Sequence, residues 1–284
     1  MGASLTIRRI AALATSFNRK ELTLASFQSL FAQRGAAHIE LTVFLVDDGS
    51  KDGTSEAVTA QFPEVRVLHG DGNLYWNGGM RKAFDAAMQE GFDAYLWLND
   101  DSRFFDDALS RIVACAESEA SHGAAAIIVG SMRDPQSGVR SYGGFGKRGH
   151  GLRLNFDPVI PDDVRTLPCD TMNGNFTLVP ASIARVIGNL DKTFRHQFGD
   201  LDYGLRARQK GIAVVIAPGY FGECSDNSIE RTWRDLSLPR RKRWAHLFSP
   251  KGAPFDEWLL FTYRHFGWRW PFYALSPYVK TLLR

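Results

Sequence analysis

The stretch that decides the fold is Trp97-Leu98-Asn99-Asp100-Asp101-Ser102. An apolar run, Ala94 to Leu98, ends abruptly in two neighbouring carboxylates. An open α/β sheet presents acids this way, in the crevice at the carboxyl ends of its strands. Their hard oxygens suit Mg²⁺ or Mn²⁺, ions that keep several waters and complete their shell with substrate phosphate oxygens. A second reading stands beside it. Asp100-Asp101-Ser102 can cap the following helix, because short polar side chains accept hydrogen bonds from free N–H groups at helix starts.

The chain around this stretch weighs between the two. Ile7 to Ala14 reads as a first strand, nearly continuous in apolar residues and so buried on both faces. Thr15 to Arg19 breaks it, and Leu24, Phe27, Leu30 and Phe31 recur at helical spacing until Gly35. Leu41 to Val46 is a second strand, ending at Asp47-Asp48-Gly49-Ser50, and Thr54 opens another helix. Val65 to Leu68 is a third strand; it leads through Gly70 to Gly79 into a helix marked by Met80, Ala83, Phe84 and Ala87. Strands alternating with helices predict a parallel sheet with right-handed crossovers. Four polar loops, at 15–19, 47–50, 73–79 and 99–102, then line one sheet edge, which favours the metal reading.

Beyond Asp101 the order loosens. Ala108, Leu109, Ile112, Val113 and Ala116 predict a helix, and Ala124 to Val129 a strand. Residues 131–168, rich in Gly, Pro, Arg and Asp, predict hairpins or a mobile loop over the site. Thr177 to Val179 resumes the apolar character, and Ile183 to Ile187 reads as helix. Leu201, Leu205 and Arg208 share a helix face that Gly211 stops, and Ile212 to Ala217 is a final strand.

Composition places the 284 residues, 44% hydrophobic and 23% charged, among globular proteins. The net charge of +3 excludes a globally basic nucleic-acid binder but conceals an asymmetry. From Glu230 onward there are eleven Lys or Arg against four Asp or Glu, so the tail is basic and the rest mildly acidic. Cys115, Cys169 and Cys224 are far apart and odd in number, which suits a reducing cytosol better than a disulfide framework or a zinc site. No segment has the pattern of a cleaved signal or the length of a membrane span, so the expectation is a cytoplasmic protein. Gly144-Phe145-Gly146-Lys147-Arg148-Gly149 fits the dinucleotide fingerprint, but it lacks a preceding strand and a following helix and reads as a flexible loop. No Walker loop, His-Glu-x-x-His or Gly-x-Ser-x-Gly occurs.

Thr15-Ser16-Phe17-Asn18-Arg19, Val46-Asp47-Asp48-Gly49-Ser50, the Asn-Leu-x-x-x-Gly-Gly loop at Asn73 to Gly79, Leu98-Asn99-Asp100-Asp101-Ser102 and Phe198-Gly199-Asp200-Leu201-Asp202 occur in the order of the family 2 glycosyltransferase motifs. The chain resembles that family over about Ile7 to Ala217, and within it bacterial rhamnosyltransferase-like enzymes of cell-surface polysaccharide synthesis. The resemblance implies the GT-A fold, an open, mostly parallel α/β sheet flanked by helices. It also implies inverting transfer from a nucleoside diphosphate sugar, UDP or dTDP in type, to a hydroxyl of a glycan or lipid-linked acceptor. The expected organisation is a transferase domain over 1–229, with a nucleotide half over 1–102 and an acceptor half over 103–229, and a helical basic and aromatic extension over 230–284.

The site residues follow from the same resemblance. Asp101 is similar to the second acid of the Asp-x-Asp motif and binds Mg or Mn, with Asp100 beside the ribose or metal and Asn99 replacing the first acid. Thr15, Phe17, Asn18, Arg19, Asp47, Asp48 and Asn73 belong to the donor loops, Asp47 and Asp48 as readers of the nucleobase or, on the second reading, as a turn before a helix cap. Trp76 stacks on the base, walls the sugar or anchors the core; Gly78 and Gly79 let backbone approach the diphosphate, or serve a tight turn. Asp200 is similar to the general base, with Gly199 in place of the family's Glu and Asp202 as its backup. On the other reading both acids mark a helix start, where the N-terminal dipole favours negative charge. Asn173, Gly174 and Asn175 resemble the acceptor segment. The loop Gly219 to Asn227 lacks the His that many relatives use as a further ligand, leaving Glu223 or Asp226 as substitutes, or a plain surface loop.

In the tail, Arg240-Arg241-Lys242-Arg243-Trp244 and Trp268 to Tyr273 mix cations with aromatics, as for an anionic membrane surface on the inner face of the cell membrane. A helical lid or homodimer contact has similar chemistry. Two rivals are a sugar nucleotidyltransferase, which needs a Gly-rich loop after strand one, and a sugar-nucleotide or glycan-binding module without catalysis, suggested by Asn99, Gly199 and the absent His. No nucleic-acid partner is expected.

Overall fold

The computed structural model describes residues 5–123, 125–150, 152–226 and 232–283. β1 (Arg9–Ser16), α1 (Lys20–Phe31), β2 (Glu40–Asp47), α2 (Thr54–Gln61), β3 (Arg66–His69), α3 (Tyr75–Met88) and β4 (Ala94–Leu98) alternate as the sequence predicts. β1 pairs in parallel with β2 and β4, and β2 with β3. β1 and β4 are covered on both faces, which is why neither shows apolar–polar alternation. Phe27, Leu45 and Leu96 belong to one core layer, and Phe84, Phe44 and Trp97 to the other.

β5 (Arg103–Phe104), α4 (Ala108–His122), β6 (Ile127–Arg133), β7 (Arg140–Tyr142), β8 (Gly144–His150), β9 (Arg153–Pro158), β10 (Leu167–Cys169), β11 (Thr171–Met172), β12 (Phe176–Pro180), α5 (Ala181–Ile187), α6 (Gly199–Gln209) and β13 (Val214–Glu223) complete the sheet region. The main sheet runs β10-β13-β6-β12-β4-β1-β2-β3. β12 enters antiparallel between β4 and β6, so both halves of the chain share one mostly parallel sheet. The segment 131–168 forms hairpins: β8 and β9 join β11 in a small second sheet. Gly144 to Gly149 is therefore strand β8 rather than a flexible loop, held by its pairing with β9.

β13 outruns the expected end at Ala217. The register slips between Ile216 and Gly222, and the strand continues along β6 and β5. Arg111 collects the carbonyls freed at this bulge, Pro218 O at 2.7 Å and Tyr220 O at 3.0 Å. This carries Cys224 to the crevice.

The tail is helical, as expected: α7 (Arg240–Leu247), α8 (Phe255–His265), α9 (Trp270–Ala274) and α10 (Ser276–Leu283). The expected boundary at 229/230 lies outside the described residues. The tail helices pack into the sheet region. Phe261 and Phe266 of the tail share a cluster with Leu154 of β9, Phe194 and Leu205 of α6. Among the described residues no helix is long and apolar enough to cross a membrane.

Candidate active site

The strand-end loops are tied to one another by the polar residues that mark them in the sequence. Asn18 donates its backbone N–H to Ser50 Oγ (2.8 Å) and accepts at Oδ1 from the Lys51 amide (2.7 Å). Asp48 accepts from the Gly72 amide at Oδ1 (2.9 Å) and from the Tyr75 amide at Oδ2 (3.0 Å). Asp47 accepts from the Ser50 amide (2.9 Å) and the Ser55 hydroxyl. Thr15 donates its hydroxyl to Val46 O at 3.2 Å.

These bonds correct several expectations. Asp47 and Asp48 are both 3% exposed: Asp47 accepts within its own turn and from Ser55 of α2, and Asp48 accepts from the 70–75 loop, so both carboxylates hold the site's frame. Amides left over at turns and helix starts have claimed them. Gly79 meets the Thr15 side chain where a Cβ would sit, so its missing side chain seats α3 on β1, and Gly78 faces Leu74. Asn73 is exposed and lines, with Gly78, Arg81 and Lys192, a groove along α3 that contains neither Asp100, Asp101 nor Asp200. Phe17, half exposed, is an open aromatic side chain two residues before Arg19.

Among the described residues three non-glycine residues have left-handed backbone: Asn18 (φ 52°), Tyr75 (φ 54°) and Phe198 (φ 69°). Asn18 and Tyr75 are in these loops, and Phe198 caps α6, the helix that carries Asp200. Such backbone costs about 1–3 kcal/mol for a bulky residue and persists only where neighbours hold it, typically at functional sites. Asp48 grips the Tyr75 amide, and Trp258 and Phe261 of the tail pack on the Phe198 ring at 5.4 and 5.1 Å.

At the centre, Arg19 Nη1 lies 3.2 Å from Asp100 Oδ1 and 2.6 Å from Asp101 Oδ2. Burial works against the Arg19 charge, but the two acids outweigh it and raise its pKa. Burial pushes the Asp100 carboxyl up to about 6, against the pull of Arg19 and with a push from Asp101. Among the described residues no three His, Cys, Asp or Glu side chains form a metal-holding group. The pair nonetheless fits an ion that draws most of its shell from water and phosphate, because Asp100 Oδ2 is buried without a hydrogen-bond partner.

A wall joins this acid pair to the second one. Asn99 Oδ1 accepts from Trp76 Nε1 at 2.9 Å, the Trp76 ring lies against Gly174, and the Gly174 amide donates to Asp200 Oδ2 at 3.1 Å. Trp76 is thus the half-buried wall between the two acid clusters. Asp200 opens α6 and keeps some solvent contact. The surrounding protein desolvates it and raises its pKa, against hydrogen bonds from the Leu201 and Gly174 amides and the Asn173 side chain.

Asp202 differs completely. It is fully buried and held by Arg206 Nε (2.7 Å), Arg264 Nη1 (2.7 Å) and His265 Nε2 (2.8 Å). It has no face for a substrate, which removes it as the backup base. Gly199 is explained by Asn77: a Cβ at 199 would overlap the Asn77 carboxamide, so the family's Glu has no room here.

The acceptor segment also departs from expectation. Asn175 is buried, with Nδ2 on Cys224 Sγ at 3.7 Å, and supports the wall instead of reaching an acceptor. Cys224 in turn donates to Asp101 Oδ1 at 3.4 Å. Glu223 pairs with Arg133 at 2.9 Å, and Asp226 is exposed. Cys224 is therefore the residue of this strand end that reaches the acid pair, which sequence reasoning missed because it ended β13 too early. His196 was missed too. It lies near Tyr75, ring centroids 6.3 Å apart, with a buried unpartnered Nδ1, and burial, then Lys251 and Arg19, lower its pKa to about 4.

No curated protein matches the chain. The crystal structure of GalNAc-T7 with UDP, GalNAc and Mn²⁺ superposes with a TM-score of 0.57 at 11% identity, over 75% of this chain and 42% of that one. The chain thus spans less than half of that neighbour's length, and at such low identity the likeness concerns the fold. The model of "Glycosyl transferase family 2" matches residues 13–166, more than half of the chain, including β1 and the Asp100–Asp101 loop. With its GT-A sheet and strand-end loops, this chain belongs to glycosyl transferase family 2.

Proposed function

We propose that the protein is an inverting, metal-dependent glycosyltransferase. It moves a sugar from a UDP or dTDP sugar to a hydroxyl of a glycan or lipid-linked acceptor in cell-surface polysaccharide synthesis, close to the rhamnosyltransferase-like subgroup. One observation carries this reading. The wall Asn99–Trp76–Gly174 has the Arg19, Asp100 and Asp101 charges at one end and the desolvated Asp200 carboxylate at the other. That is the layout an in-line displacement needs, with charge neutralisation on the leaving side and a base on the entering side.

Asp200 takes the proton of the acceptor hydroxyl while that oxygen forms a bond to the anomeric carbon. The bond from that carbon to the diphosphate oxygen breaks, the electron pair leaves with the diphosphate, and the anomeric centre inverts. Desolvation raises Asp200 and makes it a stronger base than a solvated carboxylate. Arg19 neutralises charge on the diphosphate, and Asn173 steadies Asp200. Asp101 and Asp100 would hold the Mg or Mn ion, which supplies further neutralisation of the leaving group. Phe17 offers the open face on which the base stacks, and Trp76 walls the sugar. The Mn²⁺ and UDP in the GalNAc-T7 structure support this donor chemistry.

The test is nucleoside diphosphate release from a panel of UDP, dTDP and GDP sugars with Mg²⁺ or Mn²⁺ and candidate acceptors. Release from a UDP or dTDP sugar is expected. No release from any donor would overturn the reading.

A further inference from the structure

The tail carries an apolar surface that the fold does not use. Trp268, Phe272, Leu275, Val279, Leu282 and Leu283 are each at least 46% exposed. Their spacing of four, three, four and three residues, closed by the adjacent Leu283, is that of one helix face, sustained from the turn before α9 to the end of α10. The opposite face is already occupied: Ala274, Pro277, Tyr278 and Thr281 are buried, and the Tyr278 hydroxyl donates to Ala253 O at 2.7 Å. α10 is thus apolar on both sides. A helix of that kind is normally enclosed, and an exposed apolar stripe this long marks an interaction surface.

Charge identifies the partner. From Trp258 to Leu283 the chain has no carboxylate, while Arg269 and Lys280 punctuate the stripe. Arg269 also lies against Gly149 of the β8–β9 hairpin, which presents exposed Arg153 and Leu152 beside it, and Tyr273 ties the two elements through Leu154. α7, against which the Tyr278 ring packs through Trp244, opens with exposed Arg240, Arg241 and Lys242. Two copies meeting through this patch would set cations against cations, since a two-fold interface is the same surface twice. A bilayer with anionic headgroups complements both features, taking the apolar stripe at its acyl boundary and the cations at its phosphates.

We propose that the α9–α10 face, rimmed by Arg269, Lys280 and the β8–β9 hairpin, docks the protein on an anionic lipid surface. The docking is independent of the donor site, so its failure leaves the transferase reading standing. The test is co-sedimentation of the full chain with phosphatidylcholine vesicles containing phosphatidylglycerol, against phosphatidylcholine alone, at low and high salt. Binding to the anionic vesicles that weakens with salt is expected. The triple variant Phe272→Ser, Leu275→Ser, Leu282→Ser should bind them at least about tenfold more weakly at an unchanged unfolding midpoint, because those side chains are exposed in the fold. A double variant, Arg269→Ser with Lys280→Ser, should lose part of the salt dependence. Triple-variant binding equal to that of the parent overturns the proposal. So does equal binding to neutral vesicles, or a lipid-free dimer that the triple variant dissociates.

Discussion

The two acid pairs of this molecule, Asp100–Asp101 and Asp200 with Asp202, look alike in the sequence and live under opposite conditions. In the first, one guanidinium serves two carboxylates, and Asp100 keeps a buried oxygen without a partner. In the second, two guanidiniums and an imidazole converge on Asp202, while Asp200 receives no cation and depends on amides. The supply of cations sorts the four acids. Asp202 is saturated and structural; Asp100 and Asp101 share one guanidinium, which leaves room for the cation proposed there; Asp200 has no cation, as the proposed base requires.

The largest test of this contrast is to neutralise each member of the second pair. Asp200→Asn should lower kcat by about 10²–10⁴-fold, the range of a general base, while a donor-induced shift in melting temperature persists. Asp202→Asn should act on the fold. Removing the partner of a buried ion pair costs about 3–5 kcal/mol, and here the lower end applies because Arg206 and Arg264 remain 18% and 27% exposed. Denaturant unfolding measures it. A stable Asp202→Asn protein that has lost only turnover would reverse the two roles.

The sorting was invisible in the sequence for a specific reason. Arg264 and His265 lie 62 and 63 residues beyond Asp202, in a tail whose pattern points to a surface. Nothing in Phe198 to Asp202 announces them. The parts that were legible rest on local rules. β4 falls on Ala94–Leu98 as read, since a buried strand between polar loops has sharp ends, and the four loops meet at one edge because a parallel sheet allows nothing else. For Asp47, Asp48 and Gly79 the sequence leaves ligand contact and local framing side by side, because a motif locates a residue without showing which neighbours it meets; the structure adds their framing contacts. Cys224 was lost at Pro218-Gly219, which reads as a strand end and folds as a bulge.

A smaller effect probes the shortage of charge in the first pair. Arg19→Gln removes the cation that competes for both carboxylates. Mn²⁺ should then raise the melting temperature of Arg19→Gln more than that of the parent, since binding to the native state stabilises it by RT ln(1 + c/Kd) at free Mn²⁺ concentration c, which grows as Kd falls. An equal or smaller shift would mean that Arg19 helps to build the ion site instead of standing in for the ion.

The smallest effect is a pair of opposed pH slopes. Asp100 has a folded pKa near 6, above its ordinary value, so between the two the native state binds the proton that the unfolded chain has lost; its share of stability is present in acid and is lost as pH rises through about 6. His196 has a folded pKa near 4, below its ordinary 6.5, so the unfolded chain binds more protons in that window and stability is lost as pH falls. The two contributions oppose each other between about pH 4 and 6. Asp100→Asn should leave the slope of His196 exposed, with stability dropping more steeply in acid than in the parent. His196→Gln should do the reverse and make the protein gain stability on acidification relative to the parent. Unfolding midpoints across that range decide it, and parallel pH profiles for both variants would show that the two groups are not buried in the opposing senses that separate a carboxylate short of cations from an imidazole surrounded by them.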